Sequence, residues 1–215
     1  MRTEDLIATL SARIEPVSRF AVERRVGLAI MLGMLTALLQ LWLWLWLGVR
    51  PDIVSAAHTA GFWLKLAFPL AIGVLAMALS CRLGRPACPS GQHLRLLGLP
   101  VVIILIIASL QTAGAPTQAR LPMWLGETWL VCPGRILFLS IPALAAMMWA
   151  FGRLAPTRLR LAGLSAGLTA GAATAAVYAL GCQEDSLAFV ATWYSLGMLL
   201  VGVVGAAIGP EFLRW

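Results

Sequence analysis

Long apolar runs broken by short polar stretches dominate the chain. Six of them approach the roughly 20 mostly apolar residues that a membrane-crossing helix needs. They run at about Val26–Leu47, Phe62–Leu79, Leu94–Ala113, Ile136–Phe151, Leu159–Leu180 and Leu187–Ile208. The pattern predicts an all-α membrane protein with six transmembrane helices. The fourth run is short and carries Pro142, so its ends are the least defined. The first run reads as a span and not a signal peptide. It is too long, it follows a polar tail of 25 residues, and no small-residue cleavage site follows it. The resulting division is a segment 1–25, a membrane domain 26–208 with loops at 48–61, 114–135 and 181–186, and a tail 209–215.

Composition supports this reading. The 215 residues are 60% hydrophobic and 12% charged, with a mean hydropathy of +0.89. A soluble domain is roughly half apolar and about a quarter charged. So few charges cannot cover a water-facing surface, which argues against a cytosolic globular enzyme and against intrinsic disorder.

The net charge is +7 and the pI is near 10.3. A basic balance of this size can mark a nucleic-acid binder. Here the arginines cluster between apolar runs, so the excess is a topology signal and no direct nucleic-acid contact is expected. Twelve of the 16 basic residues fall on one side of a six-span layout: the N-terminal tail, the second and fourth loops, and the C-terminal tail. Arg50, Lys65, Arg120 and Arg135 fall on the other. The positive-inside rule then places both termini of a multi-pass protein in the cytoplasm. Seven of nine tryptophans (Trp42, Trp44, Trp46, Trp63, Trp124, Trp129 and Trp193) lie near the outer face, as an interfacial belt would. Lys65, near the outer end of the second span, is expected to snorkel. The spans show no run of buried charges, which argues against a transporter or pump.

Gly163, Gly167 and Gly171 repeat every four residues in the fifth span, and Gly205 and Gly209 repeat the spacing in the sixth. Such bare faces let helices approach closely. Packing between these two spans is one reading, and a homodimer face is the other.

The tail 1–25 is the largest water-facing segment. Thr3 can cap a helix whose first turn holds Glu4 and Asp5. Leu6, Ile7, Leu10, Ile14 and Val17 then fall on one stripe, with Pro16 bending or restarting the helix. A stripe this short cannot bury itself. The inner leaflet, the cytoplasmic loops or a groove on a soluble partner would cover it.

Topology divides the four cysteines into pairs. Cys81 and Cys88 lie in the cytoplasmic second loop; Cys132 and Cys182 lie at the outer face. Pro133, a favoured first residue of a helix, follows Cys132, and Arg135 comes soon after. A cysteine at a helix N-terminus near an arginine tends toward thiolate. Cys182 shares its short loop with Glu184 and Asp185, and Glu127 adds a carboxylate from the third loop. Thiolates with carboxylates suit a soft or borderline metal ion bound transiently. A structural disulfide, a thiol sensor and a metal site all remain open. No histidine joins the outer pair: His58 reads as a loop residue, and His93 is on the opposite face.

Several segments carry a family likeness. They are Arg2-Thr3-Glu4-Asp5-Leu6-Ile7, the stretch Gly126-Glu127-Thr128-Trp129-Leu130-Val131-Cys132-Pro133-Gly134-Arg135, Gly181-Cys182 through Phe189 with Trp193-Tyr194, and the closing Gly209-Pro210-Glu211-Phe212-Leu213-Arg214-Trp215. With six spans and two outer cysteines, the chain resembles the NrsF-type integral-membrane anti-sigma factors of Proteobacteria. The resemblance implies a non-enzymatic regulator whose cytoplasmic N-terminal segment holds an extracytoplasmic-function (ECF) sigma factor. It also implies that Cys132 and Cys182 are periplasmic and respond to heavy-metal or oxidative stress, with no constitutive cofactor. The alternatives are a membrane thiol-disulfide oxidoreductase coupled to quinone and a small transporter. The outer pair is not a CxxC, which counts against the first.

Overall fold

The computed structural model of the protein describes residues 3–5, 7, 12, 20–43, 50–85, 91–154 and 156–214. They form helices and connections, with no strand among them. In chain order the helices are α1 (Ala21–Leu43), α2 (Ile53–Ala56), α3 (Ala60–Leu83), α4 (Gly91–Leu96), α5 (Gly98–Ala113), α6 (Thr117–Leu125), α7 (Cys132–Phe151), α8 (Leu159–Ala179), α9 (Leu187–Phe189) and α10 (Ser195–Phe212). A π-helical turn, Val190–Tyr194, joins α9 to α10.

Six helical stretches are long and apolar enough to cross a membrane: α1, α3, α4 with α5, α7, α8, and α9 through α10. They coincide with the six predicted runs and differ at the ends. The fourth stretch starts four residues earlier than expected, so Cys132 is the first residue of α7, with Pro133 in its first turn. The second and sixth run past their predicted ends, to Leu83 and Phe212. The third stretch breaks at Leu97. Pro100 has no N–H for the carbonyl one turn earlier, which weakens the helix there. The loop 114–135 contains α6, a short helix carrying Pro122 that the hydropathy pattern does not reveal.

Helix α8 is the axis. Its alanines, glycines and threonines are almost all buried, and α3, α7 and α10 pack around it. The glycine faces lie against each other. A Cβ on Gly163 would run into the carbonyl oxygen of Gly205, and one on Gly205 into that of Gly163. A Cβ on Gly167 would meet the Val201 carbonyl. Without side chains there, the two backbones touch and gain dispersion contacts over several turns. Internal packing of α8 on α10 therefore occupies the stripe Gly163, Gly167 and Gly171.

Helix α1 crosses α7 with similar closeness, because a Cβ on Gly33 would strike Ala143. The outward surfaces are apolar: Met31, Leu35, Trp42, Leu110 and Leu199 are exposed. An apolar shell of this extent suits a lipid surround better than water.

Thr3, Glu4, Asp5 and Ile7 are helical and exposed. Leu6, Leu10, Ile14 and Val17, with Cys88, lie outside the described residues.

Candidate functional site

The site is at the end of the bundle where α7 begins and the connection 181–186 follows α8. Cys132 and Cys182 come from these two connections, and both are buried, at 0% and 3% exposure. Both are free thiols, not a disulfide. They share one apolar cluster with Tyr178, Phe189 and Tyr194. The Tyr178 and Tyr194 rings lie 5.8 Å apart, and Phe189 stands edge-on to Tyr194 at 6.4 Å. Above the cluster, Trp193 packs between Trp124 and Trp129, at 5.9 and 5.3 Å. The Trp193 indole donates to the Trp124 carbonyl at 2.9 Å, and the Trp124 indole donates to Thr192 Oγ1 at 3.0 Å. The π-helical turn brings Thr192, Trp193 and Tyr194 into this group.

Charges hold the Cys182 connection from three directions. The first hold is Lys65. It does not snorkel; it is fully buried on the inner side of α3. Its Nζ donates to the carbonyl oxygens of Cys182 and Glu184, each at 2.6 Å, with Asp185 at 4.0 Å. A buried ammonium needs such acceptors, because desolvation without them is costly. A lysine at the edge of an apolar run can turn either way. The two carbonyls, which no side-chain pattern announces, turn this one inward.

The second hold is Arg50, which is also buried. Its guanidinium donates to both Asp185 carboxylate oxygens, at 2.7 and 3.0 Å, and to Asp52 at 2.7 and 2.8 Å. Its backbone N–H donates to the Leu180 carbonyl at 3.1 Å. Planar two-pronged pairing of this kind is geometrically demanding and strong. The Arg50 hydrogen bond holds the Asp52 carboxyl below its ordinary pKa.

The third hold is Glu184. Its carboxylate accepts the backbone N–H groups of Glu127 and Thr128, at 2.7 and 3.2 Å. Gly126 makes this possible. Its φ of +62° favours glycine, and a Cβ there would collide with the Glu184 carboxyl and the Phe189 ring. The loop bearing Glu127 thus docks on the loop bearing Cys182, which explains the local sequence Gly126-Glu127-Thr128.

This geometry reassigns the supporting residues. Glu184 and Asp185 are engaged by backbone N–H groups and by Arg50, so they fix the loop and do not converge on the thiols. Glu127 contributes its backbone N–H, and the residue is exposed. Arg135 interacts with Tyr178. Among the described residues, no three His, Cys, Asp or Glu side chains gather in a metal-binding group. A metal ion here would have the two sulfurs as its protein ligands. Sequence reasoning missed Lys65, Arg50, Tyr178 and Tyr194. The first two carry a weak signal as lone cations flanking the outer loops. Tyr178 carries no signal in the sequence, and Tyr194 enters only with the family likeness.

Fold and site together define a class: a helical bundle with six stretches long and apolar enough to cross a membrane, whose distinctive chemistry is a clasped pair of buried free thiols. The chain belongs to the NrsF family, described as negative regulator of sigma F, whose family model matches residues 10–215. It is 40% identical over 215 residues to the probable anti-sigma-F factor NrsF of Azospira oryzae (strain ATCC BAA-33 / DSM 13638 / PS), covering all of both chains. It is 37% identical over 217 residues to the anti-sigma-F factor NrsF of Caulobacter vibrioides (strain NA1000 / CB15N), again over the full length of both. No solved structure matches the chain.

Proposed function

We propose that the protein is an inner-membrane anti-sigma factor. It sequesters an ECF sigma factor through its cytoplasmic N-terminal segment and releases it when Cys132 and Cys182 react with a heavy-metal ion or an oxidant. The full-length likeness to two anti-sigma-F factors supports the sigma-binding part. Six apolar helices with an apolar outer surface support the membrane part. The distribution of arginines supports cytoplasmic termini.

One observation carries the sensor part. Two free thiols from separate connections are buried in a single cluster, and their loop is held by a charge network instead of by a disulfide. Joining the sulfurs, or bridging them with a thiophilic ion, changes the geometry of both connections at once. Cys132 opens α7, and α7 packs on α1 at the Gly33–Ala143 crossing. Helix α1 leads back to the N-terminal segment. A shift of α7 would therefore reach the stripe Leu6, Ile7, Leu10, Ile14 and Val17 through one direct helix contact. The ligand must favour one of two states, or nothing moves. About 1.4 kcal/mol of coupling changes sigma affinity tenfold.

Two measurements test this. Detergent extracts containing the full-length protein should retain a sigma factor in pull-down, and protein lacking residues 1–25 should not. Replacing Cys132 and Cys182 together by Ser should abolish induction of the sigma-dependent genes. Normal induction in that double variant refutes the sensor role.

A further inference from the structure

Two buried hydroxyls beside the thiols have no partner. Tyr178 and Tyr194 are the only two tyrosines in the chain, and both are fully buried. Neither hydroxyl has a partner at ordinary hydrogen-bond geometry. A buried hydroxyl left unsatisfied is costly and uncommon, so two in one cluster call for an explanation. Their electrostatic neighbours supply it: both phenols interact with Cys182 and Cys132, and Tyr178 also with Arg135. Lys65 also bears on both sulfurs. Tyr194 is placed there by the π-helical turn, an irregularity that is frequent at functional sites.

The polar surroundings of the sulfurs are thus two phenol O–H groups and two cations, with Glu184 and Asp185 engaged elsewhere. Among the described residues, such a setting offers a cation only the two sulfurs. It is well suited to an oxygen atom attached to sulfur, which carries negative charge and accepts hydrogen bonds. We propose that Tyr178 and Tyr194 are positioning residues for thiol oxidation, whose hydroxyls donate to the oxygen that a hydroperoxide leaves on sulfur. This rests on the sensor reading above and names a two-electron oxidant as one of its inputs.

The steps balance. One thiolate attacks a peroxide oxygen. The S–O bond forms, the O–O bond breaks, and hydroxide leaves and takes up the thiol proton as water. The phenols hold the new sulfenate oxygen. The second thiolate then attacks that sulfur. The S–S bond forms, the S–O bond breaks, and a second water leaves. Two thiols have lost two electrons, and one peroxide has become two waters.

The test uses full-length protein in membrane vesicles, hydrogen peroxide as oxidant and dimedone to trap sulfenic acid. Cys132→Ser and Cys182→Ser proteins, each made in a Cys81→Ser/Cys88→Ser background, retain one cysteine. In these backgrounds, Tyr178→Phe with Tyr194→Phe should lower the dimedone yield at least tenfold. Phenylalanine keeps both rings and removes only the unsatisfied hydroxyls. A purely structural role therefore predicts unchanged or increased thermal stability and unchanged trapping. Trapping at the parent rate in the Phe variants overturns the proposal. So does a parent protein that binds cadmium but yields no sulfenic acid. These readouts follow sulfur chemistry and not sigma release. If the tyrosines prove necessary for trapping while the double Cys→Ser variant still induces normally, the sensor reading has failed and the positioning role stands.

Discussion

The two ends of the bundle hold together by different physics. Towards the end away from the thiols, α8 and α10 touch backbone to backbone because Gly163, Gly205 and Gly209 carry no side chain. Nearby, Arg25 donates to the Arg153 carbonyl at 2.8 Å, and Arg85 pairs with Glu23. At the thiol end, Lys65, Arg50 and Glu184 tie a short irregular connection in place by charge and hydrogen bonds. Close packing tolerates one arrangement, and its failure is abrupt. A clasp of charges holds one arrangement firmly yet can be undone by changing a few groups. On the sensor reading proposed above, the molecule joins a stiff rod to a releasable end, and the releasable end is where Cys132 and Cys182 lie.

The contrast can be broken most severely at the glycines. Gly205→Val forces α10 away from α8 and should cost at least about 3 kcal/mol, the upper range for overpacking. The expected outcome is loss of folded protein, read as accumulation in membranes and monodispersity in detergent. Lys65→Met should be milder, about 2 kcal/mol, because two buried carbonyl groups lose their donor. The distinguishing readout is Cys182, which a membrane-permeant maleimide should label much faster in this variant than in the parent. Unchanged labelling would mean the clasp does not hold the loop. Gly126→Ala should cost about 1 to 2 kcal/mol from the positive φ. It should also expel the Glu184 carboxylate and raise labelling of the same cysteine.

The smallest effect is expected at Asp52, which is exposed at the rim of the clasp. Its carboxyl is held below its ordinary pKa by Arg50, so the pairing stabilises the fold above the unfolded-state value of roughly pH 4 and is lost as pH falls through the lower folded-state value. Asp52→Asn should therefore lower the melting temperature slightly at pH 7, and the difference from the parent should shrink as pH falls below the unfolded-state value.

Much of the fold was legible from pattern. Apolar runs of sufficient length marked the six membrane-length helical stretches, and four-residue glycine spacing marked the face where α8 meets α10. Pro133 marked the start of α7 within a few residues. The site was legible only in part. Cys132 and Cys182 stood out because polar and reactive residues are scarce. Their supports did not, because each depends on a contact that sequence does not encode locally. Lys65 is anchored by backbone carbonyls more than 100 residues away. Glu184 and Asp185 looked like metal ligands because carboxylates near cysteines share that composition. The positive φ at Gly126 and the buried guanidinium of Arg50 give them other partners. Tyr178 and Tyr194 differ from ordinary core aromatics by their missing hydrogen bonds, which only coordinates display.

The most direct test is to co-purify the full-length protein with its sigma factor, titrate the complex with hydrogen peroxide or cadmium, and measure two quantities together. Mass spectrometry gives the fraction of molecules with Cys132 and Cys182 joined or bridged, and the eluate gives the fraction of sigma factor still bound. The account predicts that sigma factor leaves in proportion to the modified pair and stays on the Cys132→Ser/Cys182→Ser protein. Complete modification of the pair with the sigma factor still bound would contradict it.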